Sequence, residues 1–301
     1  MYHVVELDLT SLDLHQLKGY ELLTSPEYRI CLSGKDPYGI TDSNIIVLGL
    51  KTNDTPVGII IANRIAVLRL AQIYFLNLAV SHITAENVAA LLSAMEANVK
   101  AQGVINLTIK YPDNIAAAVI TEALKTLHWQ KPIFFLLTCL FKSKDFNPTW
   151  LQKPYSYPPG FVEFPWLELT SQERDQIMHE QEQGLFLPSV SPFGDENIQE
   201  PLNSLGLRYN DRVIGWMITH RIDTQTIRYS ALFIHPEWQQ SHLWIKLLSD
   251  AIRLQKSSSV PFALLEIKLS GVDHSWLNFI KRRLIPHTCQ VIKTYQSSKR
   301  L

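Results

Sequence analysis

Runs of β-branched and apolar residues, broken at short polar turns, dominate the first half of the chain. NIIVLGLK (44–51) and PVGIIIANRI (56–65) are strand-like segments separated by Thr52-Asn53-Asp54-Thr55, a hairpin signature. RLAQIYFLNLAV (69–80) is a third such run. The period then changes, because Val88, Leu91, Leu92, Met95 and Val99 recur at helical spacing and predict an amphipathic helix. Thr84 stands as its N-cap, with Asn87 where a full capping box carries Glu or Gln, and Gly103 as its C-cap. A strand VINLTIKY (104–111), a helix from about Pro112 to Leu127 and a strand IFFLLTCLFK (133–142) follow.

The second half repeats this order. LNSLGLRY (202–209), VIGWMITHRI (213–222) and TIRYSALFI (226–234) are strands, followed by a helix from Gln239 to Gln255. The strand FALLEIKL (262–269), a helix from Asp273 to Leu284 and the strand TCQVIKTY (288–295) come next. FVEFPWLELT (161–170) and the helix SQERDQIMHEQEQ (171–183) precede the set.

Residue identities support a duplication. Gly58-Ile59-Ile60-Ile61-Ala62-Asn63-Arg64-Ile65 matches Gly215-Trp216-Met217-Ile218-Thr219-His220-Arg221-Ile222, sharing Gly, Ile, Arg and Ile. Leu107-Thr108-Ile109-Lys110 stands beside Leu265-Glu266-Ile267-Lys268, and Thr138-Cys139 beside Thr288-Cys289. Between the copies DFNPTWLQKPYSYPPG carries four prolines and suits an extended linker. The expected division is therefore a first domain over 1–145, a linker over 146–160 and a second domain over 161–301. The expected class is α+β, a mixed α/β sandwich built twice.

Composition narrows the function. Lys plus Arg equals Asp plus Glu at 28 each over 301 residues, so no global field draws the chain to nucleic acid or an anionic membrane surface. Cys31, Cys139 and Cys289 are far apart and odd in number, which excludes a complete disulfide framework and fits a reducing cytoplasm. MYHVVELDLT lacks the basic and apolar regions of a signal peptide, and no apolar run approaches a membrane span. His220, His235, His274 and His287 form no zinc pattern, and no metal is expected. Neither a Gly-x-Ser-x-Gly elbow nor a Walker loop or dinucleotide fingerprint occurs.

The stretch TIRYSALFIHPEWQQSHLWIKLLSDAIRLQK (226–256) resembles the cofactor-binding core of the Gcn5-related N-acetyltransferase (GNAT) superfamily. That family's pattern is Val-x-Pro-x-x-Arg/Gln-x-x-Gly-x-Gly/Ala followed by two Leu-like residues. Here Ile234 takes the Val place, Pro236 the Pro, Gln239 the Arg/Gln and Leu247-Leu248 the apolar pair, without a gap. His242 and Trp244 occupy the two glycine places. The first copy departs further: after Val80 its loop is two residues shorter and lacks both glycine and Arg/Gln. With two copies, the chain resembles the tandem, mycothiol-synthase-like members.

The resemblance implies two GNAT-like domains, each a mixed, mostly antiparallel sheet with helices on both faces. It implies acetyl-CoA or another acyl-CoA as co-substrate, a small-molecule amine as acceptor, and chemistry in the second copy, in a monomer or homodimer. The residues implied to hold the cofactor are Leu232, Phe233, Ile234, Gln239, Gln240, Ser241, His242, Leu243 and Trp244. Leu232 and Phe233 are expected as backbone donors to the thioester. Tyr229 and Ser230, on the motif strand, are the catalytic candidates, beside a bland reading in which Tyr229 faces the core by simple alternation. The usual Tyr acid of the last helix is absent around Asp273 to Ile280, which leaves a water or another group to protonate the thiolate. The long loop 185–207 is the expected acceptor pocket, with Glu196, Glu200 and Asn203 facing the amine. The competing function is a fold that has lost its cofactor and serves as a binding scaffold, and the discriminator is whether the Trp244 indole fills the space between the motif strand and the helix start. Transfer from aminoacyl-tRNA, a third possibility, finds no basic tract beyond Lys281-Arg282-Arg283.

Overall fold

The computed structural model describes residues 2–7, 14–37, 43–239, 242–269 and 274–301. In chain order the strands are β1 (Tyr2–Glu6), β2 (Ser43–Thr52), β3 (Thr55–Ile65), β4 (Leu70–Leu78), β5 (Asn106–Pro112), β6 (Ile133–Lys142), β7 (Phe161–Pro165), β8 (Leu205–Tyr209), β9 (Arg212–Asp223), β10 (Thr226–Ile234), β11 (Phe262–Lys268) and β12 (Gln290–Arg300). The helices are α1 (Leu14–Leu23), α2 (Ala85–Ala101), α3 (Ala117–Thr126), α4 (Ser171–Glu182), α5 (Leu243–Lys256) and α6 (His274–Phe279).

The chain forms two compact units, one of Met1–Phe135 with Lys293–Leu301, the other of Leu136–Ile292. In unit 1 the strand order is β1-β2-β3-β4-β5-β12, and in unit 2 it is β6-β11-β10-β9-β8-β7. Only β4 with β5, and β10 with β11, pair in parallel within these units; the other registers described are antiparallel.

The same local chemistry shapes both copies. Asn53 and Asp54 (φ 46° and 61°) turn the β2–β3 hairpin, and Asn210 and Asp211 (φ 46° and 63°) turn β8–β9. Paired left-handed residues match the twist of the flanking strands, and Asn and Asp tolerate that region better than other side chains. Each sheet is covered on both faces. In unit 1, Val88, Leu91, Leu92, Met95 and Val99 of α2 pack on Ile46, Leu48, Ile60 and Ile73, each burial contributing about 2 kcal/mol. The opposite face presents Val47, Ile59 and Ile61 to Tyr20 of α1 and to Cys31 and Leu32. In unit 2, Leu247, Leu248 and Ala251 of α5 cover Ile227, Tyr229 and Ile234, while Ile177 of α4 and Phe186 cover Trp216, Ile218, Ala231 and Phe233.

The division of the chain differs from the one its sequence suggests. The last strand of the first sequence copy lies in unit 2, where Leu136–Lys142 of β6 runs antiparallel to β11 from Lys268 to Phe262. The last strand of the second copy lies in unit 1, where Thr294–Arg300 of β12 pairs with β5 from Pro112 to Asn106. A strand satisfies its backbone donors and acceptors equally well beside either copy's sheet, so nothing in residue pattern announces the exchange. The proline-rich segment 146–160 is likewise no free linker. Phe146, Trp150 and Leu151 are buried in the unit 2 core, and Arg253 and Lys256 of α5 donate to the carbonyls of Leu151 (2.7 Å) and Phe146 (2.6 Å). Between its prolines the segment forms only a 3₁₀ turn, Thr149–Gln152, and prolines do not forbid packing.

Gly215 on β9 lies close against the backbone of β10. A Cβ there would stand 2.5 Å from Ile234 Cδ1 and 2.8 Å from the Phe233 carbonyl oxygen, whereas at the matching Gly58 it meets only side-chain atoms at 3.2 Å or more. Gly215→Ala is therefore expected to cost about 1–3 kcal/mol and Gly58→Ala less, because backbone yields less readily than a side chain. Equal urea midpoints for the two variants would contradict this.

Candidate functional site

In unit 2 the parallel pairing of β10 with β11 runs from Thr226↔Phe262 to Tyr229↔Leu265 and stops. β11 continues to Lys268 against β6, and β10 continues to Ile234 against β9. The two strands thus splay apart after Tyr229. At the same point β10 carries a bulge: Tyr229 pairs with Thr219 and Ala231 with Ile218, leaving Ser230 as the extra residue.

The bulge decides which side chains meet. Ahead of it Ile227 and Tyr229 face α5; past it Ala231 and Phe233 face the α4 side, so Ser230 shares that side with Arg228 and His220. His220 Nε2 lies 2.9 Å from the Gly194 carbonyl oxygen, which only accepts, so this nitrogen carries the proton. Nδ1 is then the acceptor, and the Ser230 hydroxyl, 2.6 Å away, donates to it. Arg228 Nε donates to Ser230 Oγ at 3.0 Å, and its terminal nitrogen meets Asp195 Oδ2 at 2.6 Å. Burial holds the His220 pKa below its ordinary 6.5, with Arg228 adding to the effect and the Gly194 contact opposing it. The result is a neutral imidazole with a serine hydroxyl aimed at its bare nitrogen.

This arrangement has a pH consequence. The unfolded chain binds a proton on His220 below about pH 6.5 and the native chain resists it, so stability is complete above that value and is lost as pH falls toward the lowered folded pKa. His220→Asn, the residue the first copy uses here, is expected to show a smaller fall in Tm between pH 7.5 and pH 5.5 than the parent. An equal fall in both would remove His220 from the titration.

Along the splayed edge, backbone direction follows from two contacts. The His235 amide donates to the Ile214 carbonyl at 2.7 Å, and the Phe233 carbonyl lies against Gly215. Strand alternation then directs the amides of Leu232 and Ile234 away from β9, toward the opened side. Phe233, expected as a second donor, instead turns its backbone to β9 and its ring onto Trp216, with centroids 4.5 Å apart. Gln239 Nε2 donates to the Ile234 carbonyl at 3.2 Å.

The loop beyond β10 begins with His235, whose Nδ1 accepts from the Glu237 amide at 3.4 Å. Gln240 and Ser241 lie outside the described residues. His242 is exposed and sits at the N-cap position of α5 without a side-chain cap, whereas Thr84 caps α2 by accepting from the Asn87 amide at 3.2 Å. Leu243 is buried in the core. The Trp244 indole packs edge-on against Trp276 (6.1 Å) and Phe279 (5.1 Å) of α6.

Four of the side chains expected to act are engaged elsewhere. Tyr229 is buried under α5, where its hydroxyl donates to Gln255 Oε1 at 2.8 Å and accepts from Asn203 Nδ2 at 3.2 Å; burial drives its pKa far up. Asn203, fully buried, also accepts from Thr219 Oγ1 at 2.6 Å. Glu200 is buried in an ion pair with Arg221 and accepts from the Leu202 amide. Glu196 forms a two-pronged surface pair with Arg174 at 2.7 and 2.6 Å. The loop that carries Glu196, Glu200 and Asn203 is anchored to unit 2 through Glu200 and Asn203. What it does supply is Gly194 and Asp195, which orient His220 and Arg228 and which sequence inspection passed over.

Among the described residues no group of three or more His, Cys, Asp or Glu gathers as a metal site, and no helix is long and apolar enough to cross a membrane.

The sheet order, the parallel pair that splays at a bulge and the helices on both faces define the GNAT class of mixed α/β folds. Solved structures carry the same architecture. A GCN5-related N-acetyltransferase from Sphaerobacter thermophilus matches with a TM-score of 0.63 at 9% identity, covering 100% of this chain and 96% of that one. A tandem GNAT protein from the clavulanic acid biosynthesis pathway matches at 0.60 and 10% identity, over 99% and 98% of the two chains. The glucosamine N-acetyltransferase region of a fungal multi-domain GH3 β-N-acetylglucosaminidase matches at 0.60 and 12%, over 99% of this chain and 38% of that one. No family model and no curated protein matches the sequence. The chain has the tandem GNAT fold.

Proposed function

We propose that the chain is an acyl-CoA-dependent N-acyltransferase acting on a small-molecule amine, with the chemistry in unit 2. The observation that carries this is the splay of β10 from β11 at the Ser230 bulge, which leaves the Leu232 and Ile234 amides directed away from β9 and opens beside the uncapped N-terminus of α5. Acyl-CoA fits the residues present. The first turn of α5 holds no acidic side chain, its amide groups favour a pyrophosphate, and the Trp244 ring packs edge-on against Trp276 and Phe279 of α6.

When bound, acyl-CoA supplies an activated thioester. The Leu232 amide would be the donor for the oxygen that gains charge as the acceptor nitrogen attacks; the C–S bond then breaks and coenzyme A leaves as the thiol, its proton supplied by water. His220, kept neutral by burial, accepts the amine's proton through Ser230: the serine oxygen takes it while passing its own to Nδ1. Arg228, donating to Ser230 Oγ, limits the rotation of that hydroxyl. Unit 1 splays in the same way after Ile73↔Ile109, but Thr84 already occupies the first-turn amide of its helix, which supports assigning the chemistry to unit 2.

A second reading, a scaffold without cofactor, draws on the Gln239 amide that already bonds the Ile234 carbonyl at the opened edge. Calorimetric titration with acetyl-CoA separates the two. Saturable heat with a dissociation constant in the ~1 μM–1 mM range is expected for the enzyme, and folded protein giving no heat at about 1 mM would leave the scaffold.

A further inference from the structure

Unit 1 builds the same cluster as unit 2 with different residues. Its bulge on β4 leaves Tyr74 as the extra residue between Ile73↔Ala62 and Phe75↔Ile61, so Tyr74 matches Ser230, Asn63 matches His220 and Gln72 matches Arg228. An aspartate from the loop ahead of the first central strand completes both clusters, Asp36 in unit 1 and Asp195 in unit 2. Asn63 Nδ2 donates to Asp36 Oδ2 at 2.9 Å and to the Tyr74 hydroxyl at 2.8 Å, and that hydroxyl lies 3.3 Å from Asp36 Oδ2.

One atom of this cluster is left over. Asn63 is fully buried, and among the described residues its Oδ1 has no hydrogen-bond partner. A buried carbonyl without a donor costs about 1–3 kcal/mol, so its retention calls for a group that donates to it. Its amide orientation is fixed, because reversing it would set oxygen against the Asp36 carboxylate. Half-buried Tyr28 stacks on Tyr74 at 6.4 Å and 29° and meets Phe75 at 5.3 Å, which adds aromatic faces to the carboxylate and the carbonyl. Acceptors and π faces together select a cation that carries N–H donors.

We propose that unit 1 binds an alkylammonium group at Asp36, Asn63 and Tyr74, in the place that the Arg228 guanidinium takes in unit 2. The ammonium donates to Asn63 Oδ1 and to the Asp36 carboxylate, and its stem lies along the Tyr28 and Tyr74 rings. This site is separate from the catalytic one proposed for unit 2 and does not depend on acyl transfer.

The test is nuclear magnetic resonance of the full chain, following the Asn63 side-chain amide as n-butylammonium is added, with n-butanol as the neutral control. Capped lysine in a second arm distinguishes a free amine from a lysine side chain. Saturable shifts with either ammonium but not with butanol are expected. Asp36→Asn should weaken them about tenfold or more, as loss of a charged hydrogen-bond partner does. Gln72→Arg, which installs the residue of unit 2, should abolish them, while Asp195→Asn should leave them intact. Equal shifts with butanol, or ammonium binding unchanged in both unit 1 variants, would overturn the proposal whatever the outcome with acetyl-CoA.

Discussion

A chain shortened to end at Ile292 is expected to lose the fold of unit 1 while unit 2 stays protected. Residues 293–301 are the far end of the sequence, but Thr294 to Arg300 form the strand that closes β5. They carry more than backbone pairing. Lys299 Nζ reaches Glu96 Oε2 at 2.5 Å and the Leu127 carbonyl at 2.7 Å, Ser297 donates to the Gln130 carbonyl at 2.6 Å, and Tyr295 packs on Tyr111. Removing them strands the β5 backbone and uncovers Leu107, Ile109 and Tyr111, a loss of several kcal/mol against a typical stability of about 5–15 kcal/mol. Hydrogen exchange reads the outcome by segment. Amides of β5 and α3 should exchange at least ~100-fold faster, and those of β9, β10 and α5 within about threefold of the parent, since sub-global opening follows the unit that lost its contacts. Uniform loss in both units, or none in β5, would show that the exchanged strand does not couple the chain's end to its beginning.

The same exchange shows where sequence stops being informative. Period and turn chemistry gave the elements because they are local: Val88 to Val99 mark one face of α2, and Asn53-Asp54 can make a left-handed pair wherever they stand. Register at a sheet edge is not local. Thr138-Cys139 lies within β6 and Thr288-Cys289 just ahead of β12, so their likeness marks the repeat without indicating which strand β12 pairs with from Thr294 onward. The candidate site divides in the same way. Ser230 was legible as a residue of the motif strand, and Gln239 by its register with the family pattern. His220 was not, because one residue of bulge re-aims a strand, and no residue type at Tyr229-Ser230-Ala231 announces a bulge. Glu196, Glu200 and Asn203 stand out in the sequence by polarity in a long loop, whereas burial makes Glu200 and Asn203 its fastenings.

Replacing Leu232 by proline is expected to lower turnover by roughly 100-fold or more while leaving the binding of acetyl-CoA nearly intact, the loss typical of one oxyanion donor. Proline inside a sheet ordinarily removes a ladder hydrogen bond, which would confuse chemistry with stability. Here alternation from the His235 amide to the Ile214 carbonyl directs the Leu232 N–H away from β9, so the bond to the neighbouring strand is not the one deleted. The extended backbone of Ala231 suits the residue before a proline. Phe233→Pro is the matched control: its backbone faces β9, so the same substitution one position later should unfold unit 2 outright. Coenzyme A release with an amine panel measures turnover, calorimetry measures binding, and thermal melting checks the fold. A Leu232→Pro chain that melts like the parent and turns over at the parent's rate would remove the Leu232 amide from the mechanism. If its turnover and its affinity fell by the same factor, the amide would serve to hold the acyl donor rather than the charge that develops during attack.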